Sequence, residues 1–296
     1  MRCFLHHPRP HRRLLRVAAL PLALLGAPLV AFSQAPDPPL PDVPTLIQQV
    51  RDHQRQMESV QENYTFHETD VTQELNKNGS VKKTESQEYE IFFVNTHEIR
   101  RLIKKDGKDL DPDQEKKTQD QVMKEVDKAQ QTPPGQAPHG DQSISVSHIL
   151  AMAKVSAPRR AMMDGRSTIT FDFAGDPHAK AHNVAEEAAL RTSGTFWIDE
   201  KDRQVRRLVA QLDSNVHAGF GLFSLGKGST LTFDQKLVNN ELWLPTGANV
   251  SLIAHAIGVI GIRANIQVTD NDYEKFHATA QQQPGTTVVP PPPPTH

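Results

Sequence analysis

Apolar and polar residues alternate along three stretches in the second half of this chain, at residues 169–173, 231–237 and 260–268. In an extended strand, successive side chains point to opposite faces, so each stretch has one apolar face and one polar face. Strands of this kind are typical of an antiparallel sheet that is covered on one side only. This pattern constrains the fold more strongly than any other feature of the sequence.

The first half of the chain adds a meander of strands. Residues 64–75, 81–95 and 97–105 are strand-like, and Asn78-Gly79 lies between the first two. Asn-Gly is a strong hairpin signal because both residues tolerate a positive φ angle. Another hairpin is predicted at residues 193–212. We therefore predict an α+β fold: a curved antiparallel sheet of at least seven strands, an incomplete β-barrel, with amphipathic helices covering its concave face.

Three helices are predicted from capping residues and apolar spacing. Asp42 caps the first, which has Pro44 in its first turn. Its apolar face consists of Val43, Leu46, Ile47, Val50, Met57 and Val60. Asp111, Pro112 and Gln114 predict a second capped helix, which is mostly solvated and continues to about residue 130. Residues 147–154 predict a short apolar helix.

Composition sets the two ends of the chain apart. Residues 1–33 combine five arginines, an apolar core and an Ala-Phe-Ser pattern, which predicts a cleaved signal peptide and an exported protein. Cleavage after Ala35 and an uncleaved anchor are the alternatives. The predicted order is then a proline-rich linker at 34–41, a single domain at 42–277 with a charged helical and flexible insertion at 111–142, and a disordered proline-rich tail at 278–296.

Charge and cysteine content exclude several classes of protein. Without residues 1–33, 28 basic residues remain against 35 acidic residues, and this negative charge has the wrong sign for a nucleic-acid-binding protein. Cys3 is the only cysteine, so a mature chain has no disulfide, no cysteine nucleophile and no lipid-anchored cysteine. We expect no nucleic-acid partner and no stable membrane anchor.

Two patterns resemble ligand-binding motifs without completing them. Residues 221–227 nearly match a phosphate-binding loop, but Gly228 stands where the magnesium-ligating Ser or Thr belongs, and a strand follows. His178 and His182 have a spacing that suits a metal site on a helix, but the sequence anchors no third ligand, and a surface loop is the better interpretation. We expect neither a metal nor a cofactor.

Paired carboxylates for acid–base catalysis must be held together in an apolar cleft. The acidic residues on or beside predicted strands are Glu68, Asp70, Asp199, Asp213 and Asp234. Their spacing does not distinguish them from residues of a solvated face. Since no nucleophile motif is present either, we expect a protein that is not an enzyme.

Several segments resemble the bacterial outer-membrane lipoprotein-sorting-protein-like family, which has the LolA/LolB-like fold. They are GTFWID at 194–199 with the charged turn 200–203, NNELWLP at 239–245, and KKDGKDLDPDQEKK at 104–117. The resemblance covers residues 43–276. It implies an incomplete antiparallel barrel whose helices form a lid over a hydrophobic cavity, no catalytic motif, and a lipid or lipidated ligand. The long charged segment after residue 111 departs from the family pattern.

The leading hypothesis is a periplasmic, non-catalytic protein that binds a hydrophobic ligand, a lipid or the acyl chains of a lipoprotein, in this cavity and acts as a carrier. The expected lining consists of Phe171, Phe173, Phe196, Ile198, Leu208, Leu212, Leu231, Phe233, Ile260, Ile262 and Ile266. Trp197 has the opposite parity and is expected on the other face. The loop 219–228 is a candidate gate, with the apolar side chains of Phe220, Leu222, Phe223 and Leu225.

A rival hypothesis places a protein-interaction or envelope-stress-sensing module on the same fold, with an envelope protein as its partner. The volume of the cavity distinguishes the two hypotheses. A filled core beside an exposed apolar groove would favour the rival.

Overall fold

The computed structural model describes residues 38–133, 146–218, 223–256 and 259–275. The predicted signal peptide, the first half of the linker (34–37), the end of the charged insertion and the proline-rich tail lie outside these residues. Four α-helices are described: α1 (Val43–Val60), α2 (Pro112–Gln130), α3 (Val146–Met152) and α4 (Val184–Leu190). A short 3-10 helix, Gln61–Asn63, follows α1.

The described strands form one antiparallel sheet. They are β1 (Tyr64–Leu75), β2 (Val81–Val94), β3 (His97–Lys105), β4 (Lys108–Asp109), β5 (Ala153–Met163), β6 (Arg166–Gly175), β7 (Thr192–Asp199), β8 (Val205–Leu212), β9 (Val216–Ala218), β10 (Phe223–Leu225), β11 (Thr230–Val238), β12 (Leu242–Ala256) and β13 (Val259–Lys275). Their order is β4-β3-β2-β1-β13-β12-β11-β8-β7-β6-β5, with β10 paired to β12 and β9. Because this order runs from one edge to the other, the sheet is not closed, and the predicted α+β fold is confirmed.

Side chains of neighbouring strands form continuous rows across the sheet. One row runs from Phe171 through Phe196, Leu208, Phe233, Ala248 and Val268 to Asp70. The next runs from Phe173 through Gly194, Ala210, Leu231, Val250 and Ile266 to Thr72. We call the face that carries these rows the inner face and the opposite face the outer face.

Two helices cover one half of the inner face. The predicted cap of α1 is present, since Asp42 Oδ2 accepts a hydrogen bond from the Thr45 N–H at 3.0 Å. Leu46, Ile47 and Val50 of α1 and Leu150 of α3 are buried against the phenylalanines of β6 and β7. The far end of α1 packs against a second group of buried residues, which consists of Tyr64, Leu242 and Leu244.

The helix α2 lies on the outer face. The predicted capping box is present, because Asp111 accepts from the Gln114 N–H at 2.8 Å while Gln114 accepts from the Asp111 N–H at 3.1 Å. Val122 and Ala129 are buried against Ile99 of β3. Ile99 and its neighbour Arg100 point to opposite faces of β3, and Arg100 reaches Glu68 on the inner face. Therefore α2 packs on the face opposite to α1. The narrow apolar stripe of α2, which consists of Val122, Val126 and Ala129, packs against the sheet.

The hairpin of β7 and β8 is held by close packing and an ion-pair network. At Gly194, a Cβ atom would lie 1.9 Å from the Val209 carbonyl oxygen, so only glycine fits. The side chain of Asp199 is 1% exposed and accepts two hydrogen bonds from Arg166, at 2.6 and 2.9 Å. Trp197 pairs with Thr170 and Arg207 on the outer face, which confirms its predicted parity.

Replacement of Asp199 by asparagine should destabilise the fold by about 1–3 kcal/mol, because Arg166 loses its buried counter-charge and keeps only the more exposed Asp202, 2.6 Å away. Burial by itself would raise the pKa of Asp199, but hydrogen bonds from Arg166 and the Asp202 N–H lower it overall. This carboxylate therefore stabilises the fold above its ordinary pKa of 3.8, and the contribution is lost as pH falls through the lower folded value. Urea unfolding of Asp199→Asn as a function of pH, compared with Asp213→Asn at an exposed site, measures the loss of stability and its pH dependence.

Candidate ligand-binding face

Five of the six predicted lining residues of β6, β7 and β8 belong to a closed core under α1 and α3. Phe171, Phe196 and Ile198 have no exposed surface, and Phe173 and Leu208 are at most 4% exposed. The rings of Phe173 and Phe196 are 4.4 Å apart between centroids. Leu212 is buried at the end of β8. The side chains other than Leu212 pack in one cluster with those of α1 and α3.

The apolar surface continues beyond the helices, where most of its side chains are only partly buried. Leu231 and Phe233 of β11 are only partly buried, and so are Val250, Ile266 and Val268 on the next two strands. Ile262 has the same parity on β13 and is 39% exposed. We call this half-open set the apolar strip: Leu231, Phe233, Ala248, Val250, Ile262, Ile266 and Val268. The side chain of Ile260 lies outside the described residues.

The predicted gate loop is in part a strand. Phe223 and Leu225 belong to β10, which pairs with the end of β12 and with β9. Phe223 is 42% exposed, whereas Leu225 is half-buried. Phe220 and Leu222 lie outside the described residues. A loop was expected here because the alternating run of three residues is too short to indicate a strand.

Ionisable side chains converge where the apolar strip ends, at β1, β3 and β13. Glu68 and Asp270 are directly opposite each other on β1 and β13. Arg100 of β3 donates to Glu68 and, at 2.7 Å, to Asp70. Glu98, two residues from Arg100 on the same strand face, interacts electrostatically with both members of the opposed pair. We call these five residues the carboxyl cluster: Glu68, Asp70, Glu98, Arg100 and Asp270.

Burial disfavours charge on two of these carboxyls. It raises the pKa of Glu68 to about 8, although the nearby Arg100 guanidinium lowers that pKa in part. It likewise raises the pKa of Asp270 to about 7, and repulsion from Glu98 and Asp70 adds to the effect. Burial would lower the pKa of Arg100, but Glu68 and Asp70 raise it overall. Near neutral pH the cluster therefore retains carboxyl protons.

Two tyrosines border the carboxyl cluster, but their hydroxyls donate hydrogen bonds to other acceptors. The Tyr89 hydroxyl donates to Gln87 Oε1 at 2.7 Å, and the Tyr273 hydroxyl donates to the Pro245 carbonyl oxygen. The Arg100 guanidinium carbon lies 4.2 Å from the centre of the Tyr89 ring. Burial raises the pKa of the Tyr273 phenol, followed by repulsion from Asp270. Both phenols thus remain neutral donors that are already bound to other acceptors.

The other sequence motifs do not form sites within the described residues. His178 and His182 are exposed, and His182 contacts Glu186 at 2.9 Å beside the start of α4. Lys227 and Gly228 lie in a turn that leads into β11, as expected. The described part of the chain contains no group of three or more His, Cys, Asp or Glu side chains arranged to hold a metal ion. No helix in those same segments is both long and apolar enough to cross a membrane.

Two surface concavities lie away from the covered core. One, of about 290 Å³, is lined mainly by outer-face side chains of the central strands, among them Gln73, Thr232 and Asn249. The other, of about 360 Å³, lies beside the β7–β8 turn at Arg166 and Lys201. Neither is lined by the buried phenylalanines of the inner face.

Sequence reasoning noted Glu68 and Asp70 but missed Glu98, Arg100 and Asp270. A signal was present, since Asp270 continues the alternation of Ile262, Ala264, Ile266 and Val268. When a charged residue takes the next place in a series of apolar residues on one face of a strand, it indicates a buried ionisable group.

No family profile matches this sequence, and no curated protein matches it significantly. Solved structures do match over most of the chain. A LolA superfamily protein from Nitrosomonas europaea is 10% identical with a TM-score of 0.29, covering 78% of this chain and 93% of its own. A putative outer membrane lipoprotein-sorting protein domain from Vibrio parahaemolyticus is 10% identical with a TM-score of 0.36, covering 79% and 94%. These proteins belong to the family that the sequence resembles.

MucB, solved in complex with MucA(peri), also matches. It is 10% identical with a TM-score of 0.21, and the match covers 78% of this chain and 94% of the other. At such identities and TM-scores, these likenesses carry no functional argument for this chain. The architecture itself rests on the sheet order and register described above.

Proposed function

We propose that this protein binds a hydrophobic ligand, a lipid or the acyl chains of a lipoprotein, against the inner face of its sheet, and that it acts as a periplasmic carrier without catalysis. The observation that carries the proposal is the apolar strip, which continues the covered core as half-open surface up to the carboxyl cluster. Contiguous exposed apolar surface is typical of binding sites. A strip with one ionisable end suits an amphiphile.

The closed core under α1 and α3 defines how a ligand would enter. Because close-packed side chains fill this part of the inner face, a long chain gains contact there only when α1 moves away. The helix then competes with the ligand for the same phenylalanines. Moving α1 away from the sheet costs free energy. The apparent affinity for the ligand is the affinity of the open form multiplied by the fraction of molecules that are open.

Loosening α1 should therefore increase affinity. Val50→Ala removes a fully buried contact between α1 and the sheet, and we expect the Kd for N-phenylnaphthylamine, an uncharged apolar dye, to fall about tenfold. Val122→Ala is the matched control, since it shortens the same residue type in α2 on the outer face. Its Kd should stay at the wild-type value. Equal affinities for both variants, or no dye bound by either, would contradict the proposal.

A protein-interaction module remains the second candidate, because the filled core under α1 is the feature that was expected of it. In that case the apolar strip would contact an envelope protein. Native mass spectrometry of protein purified from the periplasm separates the two. A co-purified lipid supports the carrier, whereas a lipid-free mass together with a bound polypeptide supports the interaction module.

A further inference from the structure

Most of the apolar strip has no cover within the part of the chain that the structure describes. Leu231 and Phe233, at one side of the strip, pack against the core under α1 and α3. Val250, Ile266 and Val268 belong to none of the clusters that pack under the described helices. Contiguous apolar surface that is open to water is typical of a place where another segment or another molecule binds.

The residues after β13 are uncharged apart from two histidines. Residues 276–296 contain no Asp, Glu, Lys or Arg, although 23% of the whole chain is charged. Val288 and Val289 are followed by five consecutive prolines at 290–294. A run of prolines favours the extended polyproline conformation, which loses little entropy when it binds in an apolar or aromatic groove. This segment can therefore cover apolar surface without burying a charge.

The tail begins at the end of a strand that contributes three residues to the apolar strip. Ile262, Ile266 and Val268 belong to β13, which ends at Lys275. Val268 is seven residues before Lys275, a distance of about 23 Å along a strand. Val288 is 13 residues after Lys275, and an extended segment of that length spans about 40 Å. Val288 can thus turn back over the sheet and reach Val268.

The length of the proline run matches the length of the strip along β13. In the polyproline conformation five residues span about 16 Å, and Ile262 lies about 20 Å from Val268 along the strand. Phe233 stands in the same row as Val268, two strands away, and its partly buried ring provides aromatic surface of the kind that binds proline-rich segments. The valines and prolines together are therefore long enough to cover the strip.

We propose that residues 288–294 lie on the apolar strip of the same molecule and that a ligand must displace them. The displacement rests on the proposed function, whereas the docking of the tail does not. Because the tail is attached to β13, its effective concentration at the strip is of the order of millimolar. A tail that occupies the strip about nine-tenths of the time lowers the apparent affinity for a ligand about tenfold. Between ligands, the docked tail shields the strip from water and from other proteins.

A spin label on the tail tests the docking in the absence of any ligand. Cys3 is the only cysteine, so Thr287→Cys in a full chain with Cys3→Ser gives one attachment site beside the valine pair. We expect the label to broaden the methyl NMR signals of Ile266 and Val268 and to remove most of their intensity. The methyl signals of Ile99, which packs against α2 on the outer face, should keep their intensity.

The matched control keeps the length of the tail and removes its apolar side chains. In this serine variant, Val288, Val289 and the five prolines at 290–294 are all replaced by serine. The broadening of Ile266 and Val268 should largely disappear, and equal broadening in both proteins would overturn the docking. If the signals broaden when the label and the isotopes are on different molecules, the strip contacts a second copy of the chain and the proposal is wrong.

Ligand affinity tests the displacement. The serine variant should bind N-phenylnaphthylamine with a Kd about tenfold lower than that of the wild type. Replacement of Gln281, Gln282 and Gln283 by serine changes the polar part of the same tail and should leave the Kd unchanged. If no protein binds the dye, the proposed function and the displacement fail together, whereas the spin label still supports or overturns the docking. If all three bind it equally, the proposed function stands and the displacement is wrong.

Discussion

Phe196→Ala is expected to lower the free energy of unfolding by roughly 3–5 kcal/mol, the range for removing a buried aromatic ring from a packed core. Phe196 has no exposed surface, lies between Phe171 and Leu208 in its row, and contacts the Phe173 ring. Urea unfolding with an unchanged m-value measures the loss. A natural domain is stable by only about 5–15 kcal/mol, so this variant should be close to unfolding at physiological temperature.

Phe223→Ala is the control for that experiment. Phe223 is the same residue type at a site that is 42% exposed, and its replacement should change stability by less than about 1 kcal/mol. A loss below about 1.5 kcal/mol for Phe196→Ala would mean that α1 and α3 do not fill the inner face. Such a result would favour a cavity that is open before any ligand arrives.

Glu68→Gln should stabilise the protein at high pH and have little effect at low pH. Glutamine resembles the protonated carboxyl, which is the form that burial favours when it raises the pKa of Glu68 to about 8. In the wild type, the unfolded chain loses this proton near pH 4.5, while the folded chain retains it to about pH 8. Folded protein binds more protons over that range, so stability falls as pH rises through it.

The expected gain is roughly 2–4 kcal/mol above pH 8 and near zero below pH 4.5, since one unit of pKa shift corresponds to about 1.4 kcal/mol. Asp270→Asn should act in the same direction over a lower range, because the pKa of Asp270 is raised to about 7. Unfolding curves at several pH values, with Glu74→Gln as control, measure the difference. Equal destabilisation at all pH values would mean that Glu68 is ionised in the folded protein and that its pair with Arg100 dominates.

Capping signals and strict alternation predicted many elements correctly. The helix after Asp42 and the helix after Asp111 are present with their caps, and the Asn78-Gly79 turn joins two strands. These signals work because a cap, a turn and a strand parity depend on residues within a few positions of one another. Strand parity also predicted correctly which face a side chain occupies, since Trp197 lies on the face opposite to that of Phe196.

The sequence did not predict β5 and α4, because their local signals are weak or mixed. The strand β5 contains Pro158 and a register shift between Ser156 and Arg159, and it stands at the edge of the sheet, where pairing on one side suffices. The helix α4 has only seven residues. No helix was predicted there, although Asn183 caps α4 by accepting from the Glu186 N–H at 2.8 Å.

The sequence by itself determined the antiparallel class of the sheet, the two faces of its strands and the apolar character of the inner face, because alternation acts over neighbouring residues. Only the tertiary structure decided that β13 pairs with β1, which brings Asp270 against Glu68 from opposite ends of the chain. It also decided that α1 covers the phenylalanines and leaves the apolar strip half-open. Strand order and helix docking depend on contacts between distant segments, and periodicity carries no information about those contacts.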